Sequence, residues 1–253
     1  MELKYTVLTY IFGDYERVHE VKVKDPNADY ILVTDDPTLT SKTWRVVLAT
    51  ELDGLSVFDK CYAVRFFPFA YADTDMVVRI DGSIEIRQSL MPLIEEMERG
   101  QYDRCLMIHP HRNNISEEYD VWVKTRRYPR EQAKRCMWMM KMLGYDFNYR
   151  GLYQGCFEIV RRNKVNSDLN AITYTLLKYL GKENKIERID QTVTTFVANK
   201  LFAEEMRVLP VSEDLITNGK IMQWYLHNSN TAIPRKSWYL PPMLFDKPCQ
   251  TKW

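Results

Sequence analysis

The stretch from Val77 to Ile86, VVRIDGSIEI, constrains the fold most: a mostly apolar run passes directly into an acid, a glycine and a hydroxyl at Asp81, Gly82 and Ser83. A mostly apolar run of this kind predicts a buried parallel strand. A carboxylate released at its end sits at the lip of the sheet, where open α/β folds place their ligands. That is the position for a metal ligand. A hard divalent cation such as Mn²⁺ or Mg²⁺ takes oxygen donors and shares its coordination sphere between one or two carboxylates and substrate phosphates. Gly82 would let the backbone approach such a ligand closely. On these three residues alone, a strand-ending turn with a solvated Asp remains the plainer alternative.

Similar runs recur along the chain. Tyr5 to Phe12 stops at Gly13-Asp14, Tyr30 to Thr34 stops at Asp35-Asp36-Pro37, and Trp44 to Leu48 makes a third strand. Met76 to Ile80 delivers Asp81, Cys105 to Ile108 ends in His109-Pro110-His111-Arg112, and Tyr153 to Val160 carries Gly155 within it. A glycine inside a strand marks close approach by a ligand or another backbone. Helical spacing covers Asp59 to Tyr71, with Pro68 ending or bending it, and Ser89 to Arg99, capped by Ser89. Arg130 to Leu143, Ser167 to Leu180 and Gln191 to Leu201 complete the helices, with Met137, Trp138, Met140 and Met142 expected in the core. The alternation predicts an α/β fold with a Rossmann-like, mixed and mostly parallel sheet covered on both faces. No GxGxxG loop is present, which argues against an NAD or FAD enzyme.

With 253 residues and a net charge of +1, the chain suits one large domain able to bury roughly 70 to 75% of its unfolded surface. That domain is expected over residues 1–231, followed by an irregular, proline-rich tail over 232–253 packed on it. Lys and Arg (35) nearly balance Asp and Glu (34), so charge gives no reason to expect nucleic acid. The first residues lack the features of a secretion signal and no apolar run reaches membrane-span length, so a cytoplasmic location is expected. Five scattered cysteines (Cys61, Cys105, Cys136, Cys156, Cys249), never in CxxC spacing, predict reduced thiols.

The order of these pieces resembles a GT-A nucleotide-sugar glycosyltransferase. The similarity is strongest to the glycosyltransferase-like family long labelled DUF616. It lies in TYIFGDYE, the TDD after the second strand, WRVV, KCYAVRFFPF, IDGSIEI, HPHR with Glu117-Glu118 soon after, and IDQ at Ile189 to Gln191. It covers roughly residues 5 to 228. A more distant likeness is to the family-8 retaining glycosyltransferases, where a DxD strand end, a DQ pair and a late His hold the metal. Here Ser83 stands where the second Asp would be, and Glu85 shares a side with Asp81 if the extended conformation persists.

The resemblance implies a UDP-sugar or similar donor and a glycan, polysaccharide or lipid-linked acceptor. It implies Asp81, Ser83 and His227 as ligands to Mn²⁺ or Mg²⁺, which would bridge the departing diphosphate as a Lewis acid. Lys60 or Arg65 would supply charge-assisted hydrogen bonds. The nucleotide would lie over the ends of the first two strands, with Thr9 or Tyr10 beside the base and Asp35 or Asp36 accepting from base or ribose. Gln154, Gly155 and Gln191 would line the donor. Asp190 would bind sugar hydroxyls or act as a catalytic carboxylate, although an Asp before a helix is also an N-cap. Candidate acceptor bases are Asp190, Glu117, Glu118 and His109. His109 and His111 are expected to point to opposite faces. Two other readings stay open: a non-catalytic carbohydrate- or partner-binding module on the same fold, and a hydrolase using Glu117, Glu118 and Asp190. The basic cluster Arg126, Arg127, Arg130, Lys134 and Arg135 could face solvent, an anionic acceptor or a membrane surface.

Overall fold

Every residue of the first strand, Tyr5–Ile11, is buried, which requires neighbouring strands on both sides and cover on both faces. The computed structural model describes residues 3–125, 128–147, 151–186, 188–212 and 221–225. In chain order these form β1 (Tyr5–Ile11), β2 (Ala28–Thr34), β3 (Arg45–Leu48), α1 (Val57–Phe66), β4 (Met76–Ile80), β5 (Ile84–Ile86), α2 (Met91–Arg99) and β6 (Arg104–Ile108). There follow α3 (Ile115–Lys124), α4 (Arg130–Met142), β7 (Tyr153–Arg161), α5 (Lys164–Asn184), α6 (Asp190–Phe196), β8 (Val208–Val211) and β9 (Met222–Trp224). A seven-stranded sheet runs in the order β3-β2-β1-β4-β7-β6-β8. β3, β2, β1 and β4 are parallel, β8 is parallel to β6, and β7 alone runs against both its neighbours. The expected mixed, mostly parallel α/β sheet is what the chain forms.

Because successive strand residues face opposite ways, each strand feeds two cores. Tyr5, Val7, Val78 and Ile159 pack with Ile94 and Met97 of α2 and with Ile84 and Met222 of the small β5–β9 sheet. On the other face Leu8, Tyr10, Ile31 and Val77 meet Val64 of α1. Leu106 and Phe66 extend that face into a cluster containing Trp122, Met140, Leu177 and Phe196 from α3 to α6. Three helices start on side-chain caps that accept an otherwise orphaned N–H: Ser56 from Asp59, Asn114 from Glu117 and Asn163 from Asn166. Such a cap contributes about 0.5–2 kcal/mol. Ser89 does so one residue early, its Oγ accepting from Met91 N at 3.1 Å while Leu90 holds the cap position.

Four expectations change. Ile115–Lys124 is a helix that the pattern reading did not identify, with Ile115 and Trp122 turned inward and acids in its first turn. Met137 and Met140 are core residues, but Trp138 and Met142, at 61% and 69% exposed, are not. They occupy the outer face of α4, where Trp138 is one turn from Lys134 and Lys141 and Met142 follows Lys141. Helix α6 ends at Phe196 and widens into a π-helical turn, Val197–Leu201. The hairpin-like turn after β4 leads into β5, which leaves the main sheet altogether. The expected tail and the 231/232 boundary lie outside the described residues, as do Arg126 and Arg127. Among the described residues no helix is long and apolar enough to cross a membrane, and Cys61, Cys105, Cys136 and Cys156 are free thiols.

Candidate functional site

Arg79 interrupts the apolar run VVRID, and strand alternation turns it to the α1 face beside Val77. Directly across the antiparallel pair stands Glu158, and Arg104 on β6 is turned to the same side. Both arginines are completely buried and Glu158 is 1% exposed. Arg79 Nε donates to Glu158 Oε1 at 2.7 Å, and Arg104 Nε donates to Oε2 at 3.1 Å. Arg65 of α1 approaches Oε1 at 3.7 Å, and Arg104 also donates to Asn170 of α5 at 2.8 Å. Unpaired charges could not be buried here without several kcal/mol of desolvation per ion. Burial would raise the Glu158 pKa, but Arg104, Arg79 and Arg65 together hold it well below the usual carboxylate range.

This buried knot surfaces at the carboxyl end of β4 through two more carboxylates. Arg79 Nη1 donates to Asp81 Oδ1 at 2.9 Å, and Arg65 Nη1 donates to Asp190 Oδ2. The Asp81 side chain is 39% exposed and that of Asp190 is 18%. Burial raises the Asp81 pKa, with Asp190 adding to the effect and Arg79 and Arg65 opposing it. Asp190 is the first residue of α6 and makes no cap: the cap position is Ile189, and the carboxylate reaches Arg65 instead.

β7 bulges where it meets these groups. Leu106 pairs with Glu158 but the next residue, Met107, pairs with Gln154, leaving three β7 residues outside the β6 ladder. Their carbonyls turn elsewhere: Gly155 O accepts from Arg79 Nη2, and Cys156 O accepts from Asp81 N at 3.0 Å. A Cβ at Gly155 would sit 2.8 Å from both terminal Arg65 nitrogens and 2.9 Å from Asp190 Oδ2. The glycine anticipated from the strand pattern therefore admits an ion pair rather than a backbone. Gly155→Ala should cost about 1–3 kcal/mol of stability through overpacking, measured as a lower denaturant midpoint. An unchanged midpoint would show that the Arg65–Asp190 pair moves aside freely.

A third pair lies at the end of β2. Lys60 Nζ donates to Asp35 Oδ2 at 2.8 Å and lies over the Phe12 ring. Gly13 N donates to the other Asp35 oxygen at 3.0 Å, from a left-handed conformation (φ 65°) that suits glycine. Burial would raise the Asp35 pKa, but these two donors hold it below the ordinary value. Asp36 is occupied with its own turn, accepting from Thr38 N and Oγ1. Lys60 and Arg65 lie on one helix, α1, which ties this pair to the other two; burial, with the fields of Asp81, Asp190 and Asp35, pushes the Cys61 thiol between them up to about 12.

The other candidates fall in varied places. Thr9 and Tyr10 are both buried and face opposite sides of β1; Tyr10 stacks on Phe12, in the fields of Arg79, Asp81 and Arg65. Gln154 and Gln191 flank Gly155 and Asp190 in sequence, and Gln154 Oε1 is buried with no hydrogen-bond partner among the described residues. Arg65 is not on a solvated helix face, since only 6% of its side chain is exposed. The extended conformation does not persist after Asp81: Ile84 N donates to Asp81 O at 3.1 Å, closing a turn. Ser83 is buried in that turn, and Glu85 is carried onto the β5–β9 sheet, where Arg87 and Lys22 pair with it. Packing requires glycine at position 82 in any case, since a Cβ there would sit 3.0 Å from both Tyr10 O and the Tyr15 hydroxyl. Glu117 and Glu118 lie at the start of α3 and diverge: Glu117 accepts from Asn113 N, while Glu118, 2% exposed, is held by Trp122 Nε1 and by Arg112, each at 2.8 Å. His109 and His111 do not point apart; their rings meet edge to face 6.0 Å apart. Burial, then Arg112 and His111, press the His109 pKa down to about 3, so it is neutral. His227 lies outside the described residues. Arg79, Arg104 and Glu158 were not anticipated, and the only signal for them was a charge inside an otherwise apolar strand.

Among the described residues no three His, Cys, Asp or Glu converge as metal ligands. What they offer a cation is Asp81, one oxygen on Arg79 and the carboxyl partly open. That suits Mn²⁺ or Mg²⁺ only in company with a diphosphate supplying further oxygens.

No family model and no curated protein matches the chain, so the DUF616 similarity rests on motif order alone. Among solved structures, the crystal structure of the glycosyltransferase GlyE in Streptococcus pneumoniae TIGR4 is similar at a TM-score of 0.42 and 12% identity. The match covers 84% of this chain and 46% of that one, so the chain spans about half the length of that protein.

Proposed function

We propose that the chain is a glycosyltransferase that moves a sugar from a nucleoside diphosphate donor, a UDP-sugar for preference, to a hydroxyl of a glycan. The observation that carries this reading is the gathering of Asp35–Lys60, Asp81–Arg79 and Asp190–Arg65 around Cys61, at the carboxyl ends of β2 and β4. That is where open α/β sheets hold nucleotides. The motif order resembling GT-A enzymes supports it.

In this reading the acceptor oxygen forms the new bond to the anomeric carbon as the bond to the diphosphate oxygen breaks. The nucleoside diphosphate leaves and the acceptor proton passes to a base. Asp35 accepts from the nucleotide, and Lys60, displaced from Asp35 or shared with it, meets the developing phosphate charge. Asp190, aimed by Arg65, borders the sugar and takes hydroxyl hydrogens or the proton. Asp81 would hold Mn²⁺ or Mg²⁺, which when bound neutralises charge on the diphosphate. Arg65 and Arg79 are positioning residues, buried by Glu158 rather than presented to the donor.

A second reading, a non-catalytic carbohydrate-binding module, is favoured by one observation: Asp81 and Asp190 are each already neutralised by an arginine. Thermal denaturation with UDP or GDP, with and without Mn²⁺, separates the two. A donor nucleotide at about 100 times its Kd should stabilise the fold by about 2.7 kcal/mol, and Asp35→Asn with Lys60→Met should abolish the shift. No shift with any nucleoside diphosphate overturns the transferase reading, and binding without turnover of any nucleotide sugar favours the module.

A further inference from the structure

A groove of about 870 Å³ opens between the first turn of α1, the last turns of α5 and the segment entering α6. Its wall includes Ile189, the residue before Asp190, and Tyr62, whose hydroxyl accepts from Arg188 N at 3.0 Å. The Tyr62 hydroxyl also lies in the fields of Asp190 and Arg65. The groove therefore ends at the candidate site, beside Asp190.

Its lining is of two kinds. Phe58, Tyr62, Tyr128 and Tyr179 supply rings, and Lys178, Lys182, Lys185 and Arg188 supply cations. Asp59 is the carboxylate among the described lining residues, and Lys178 already donates to it. No carboxylate lies within ion-pair distance of Lys182, Lys185 or Arg188 among the described residues. A helix dipole explains a cation in the final turn of α5. It does not explain Arg188, which is beyond the helix and stands over the Phe58 ring at 4.9 Å. Two residues that bound this segment, Lys185 and Arg188, adopt left-handed backbone angles (φ 53° and 52°) without being glycine. Such conformations are held against a cost of about 1–3 kcal/mol and gather at ligand sites.

We propose that this groove is the acceptor site and that the acceptor is an anionic glycan, its carboxylate or phosphate groups meeting Lys182, Lys185 and Arg188 while its sugar rings lie against Tyr62 and Tyr179. Calling it the acceptor site rests on the glycosyl-transfer reading; the binding of an anionic saccharide does not. Aromatic faces suit the apolar faces of sugars, and the excess of positive charge selects anionic chains and draws them in.

The test is calorimetric titration of the full chain with a galacturonic acid hexamer, a phosphate-bearing oligosaccharide, a DNA oligomer, anionic lipid vesicles and, as the neutral control, maltohexaose, each in low and physiological salt. At least one anionic saccharide should bind at least tenfold more tightly than maltohexaose, weaken with salt, and lose tenfold or more with Lys182→Glu/Lys185→Glu. Which anion binds tells carboxylate from phosphate recognition. The same double variant should keep the nucleoside diphosphate response of the wild-type chain, so a failure here is distinguishable from failure of the donor site. Equal affinity for maltohexaose, binding that the double variant leaves unchanged, or binding confined to a DNA oligomer or to anionic lipid vesicles would overturn the proposal.

Discussion

Glu158→Gln is expected to cost the fold about 3–5 kcal/mol, the usual consequence of removing one partner from a buried charge network. Three guanidinium groups converge on that carboxylate, from α1, β4 and β6, and no solvent is at hand to replace it. The amide keeps the shape and one acceptor oxygen, so the loss is electrostatic rather than a cavity. Guanidinium unfolding should show a lower midpoint at unchanged slope. A midpoint shifted by less than about 0.5 kcal/mol would mean that Arg79 and Arg104 find other partners. The pH dependence has a definite sign. The folded pKa of Glu158 lies below its unfolded value, so its contribution is complete above the ordinary carboxylate range near 4.3 and is lost as pH falls below it. Asp81, raised by burial, acts oppositely and offsets part of this as pH rises through its folded pKa. The Glu158→Gln chain should accordingly lose less stability than wild type on acidification from pH 6 to pH 3.

Asp190→Asn is expected to lower the transfer rate by about 10²–10⁴-fold, the range for a positioned acid or base, while nucleoside diphosphate affinity changes little. Arg65→Lys should follow it in part. A lysine keeps the charge but cannot span Glu158 and Asp190 with one planar group, so kcat should fall with KM for the donor unchanged. Release of nucleoside diphosphate from a nucleotide sugar, followed over a range of donor concentrations, measures both. If Asp190→Asn transfers at the wild-type rate, the carboxylate is only a counter-ion for Arg65, and catalysis must be sought elsewhere.

The strands and the acids that end them were legible because both are local properties. A run such as YTVLTYI is apolar in sequence whatever surrounds it, and Asp35-Asp36-Pro37 breaks a strand through its own backbone chemistry. Helix α3 is not legible in sequence because its inward stripe, Ile115, Glu118 and Trp122, carries an acid at its middle position, which breaks the apolar period. Trp138 and Met142 fall outside the core because α4 buries only the stripe Ala133, Cys136, Met137 and Met140, and apolar residues beside a stripe do not show in sequence which face turns inward.

The chain's own residue order thus determined an α/β sheet whose strand ends carry Asp35, Asp81 and, ahead of a helix, Asp190. Only the tertiary structure decided what those carboxylates touch. Arg65 meets Asp190 across 125 residues and Arg79 meets Glu158 across 79, and a charge on a strand looks the same in sequence whether it faces water or a partner. The reversed direction of β7 sets Glu158 opposite Arg79, and the bulge beside it turns Gly155 toward Arg65. Both are long-range pairing choices, made by how the strands pack into one sheet, and no local run of sequence records them.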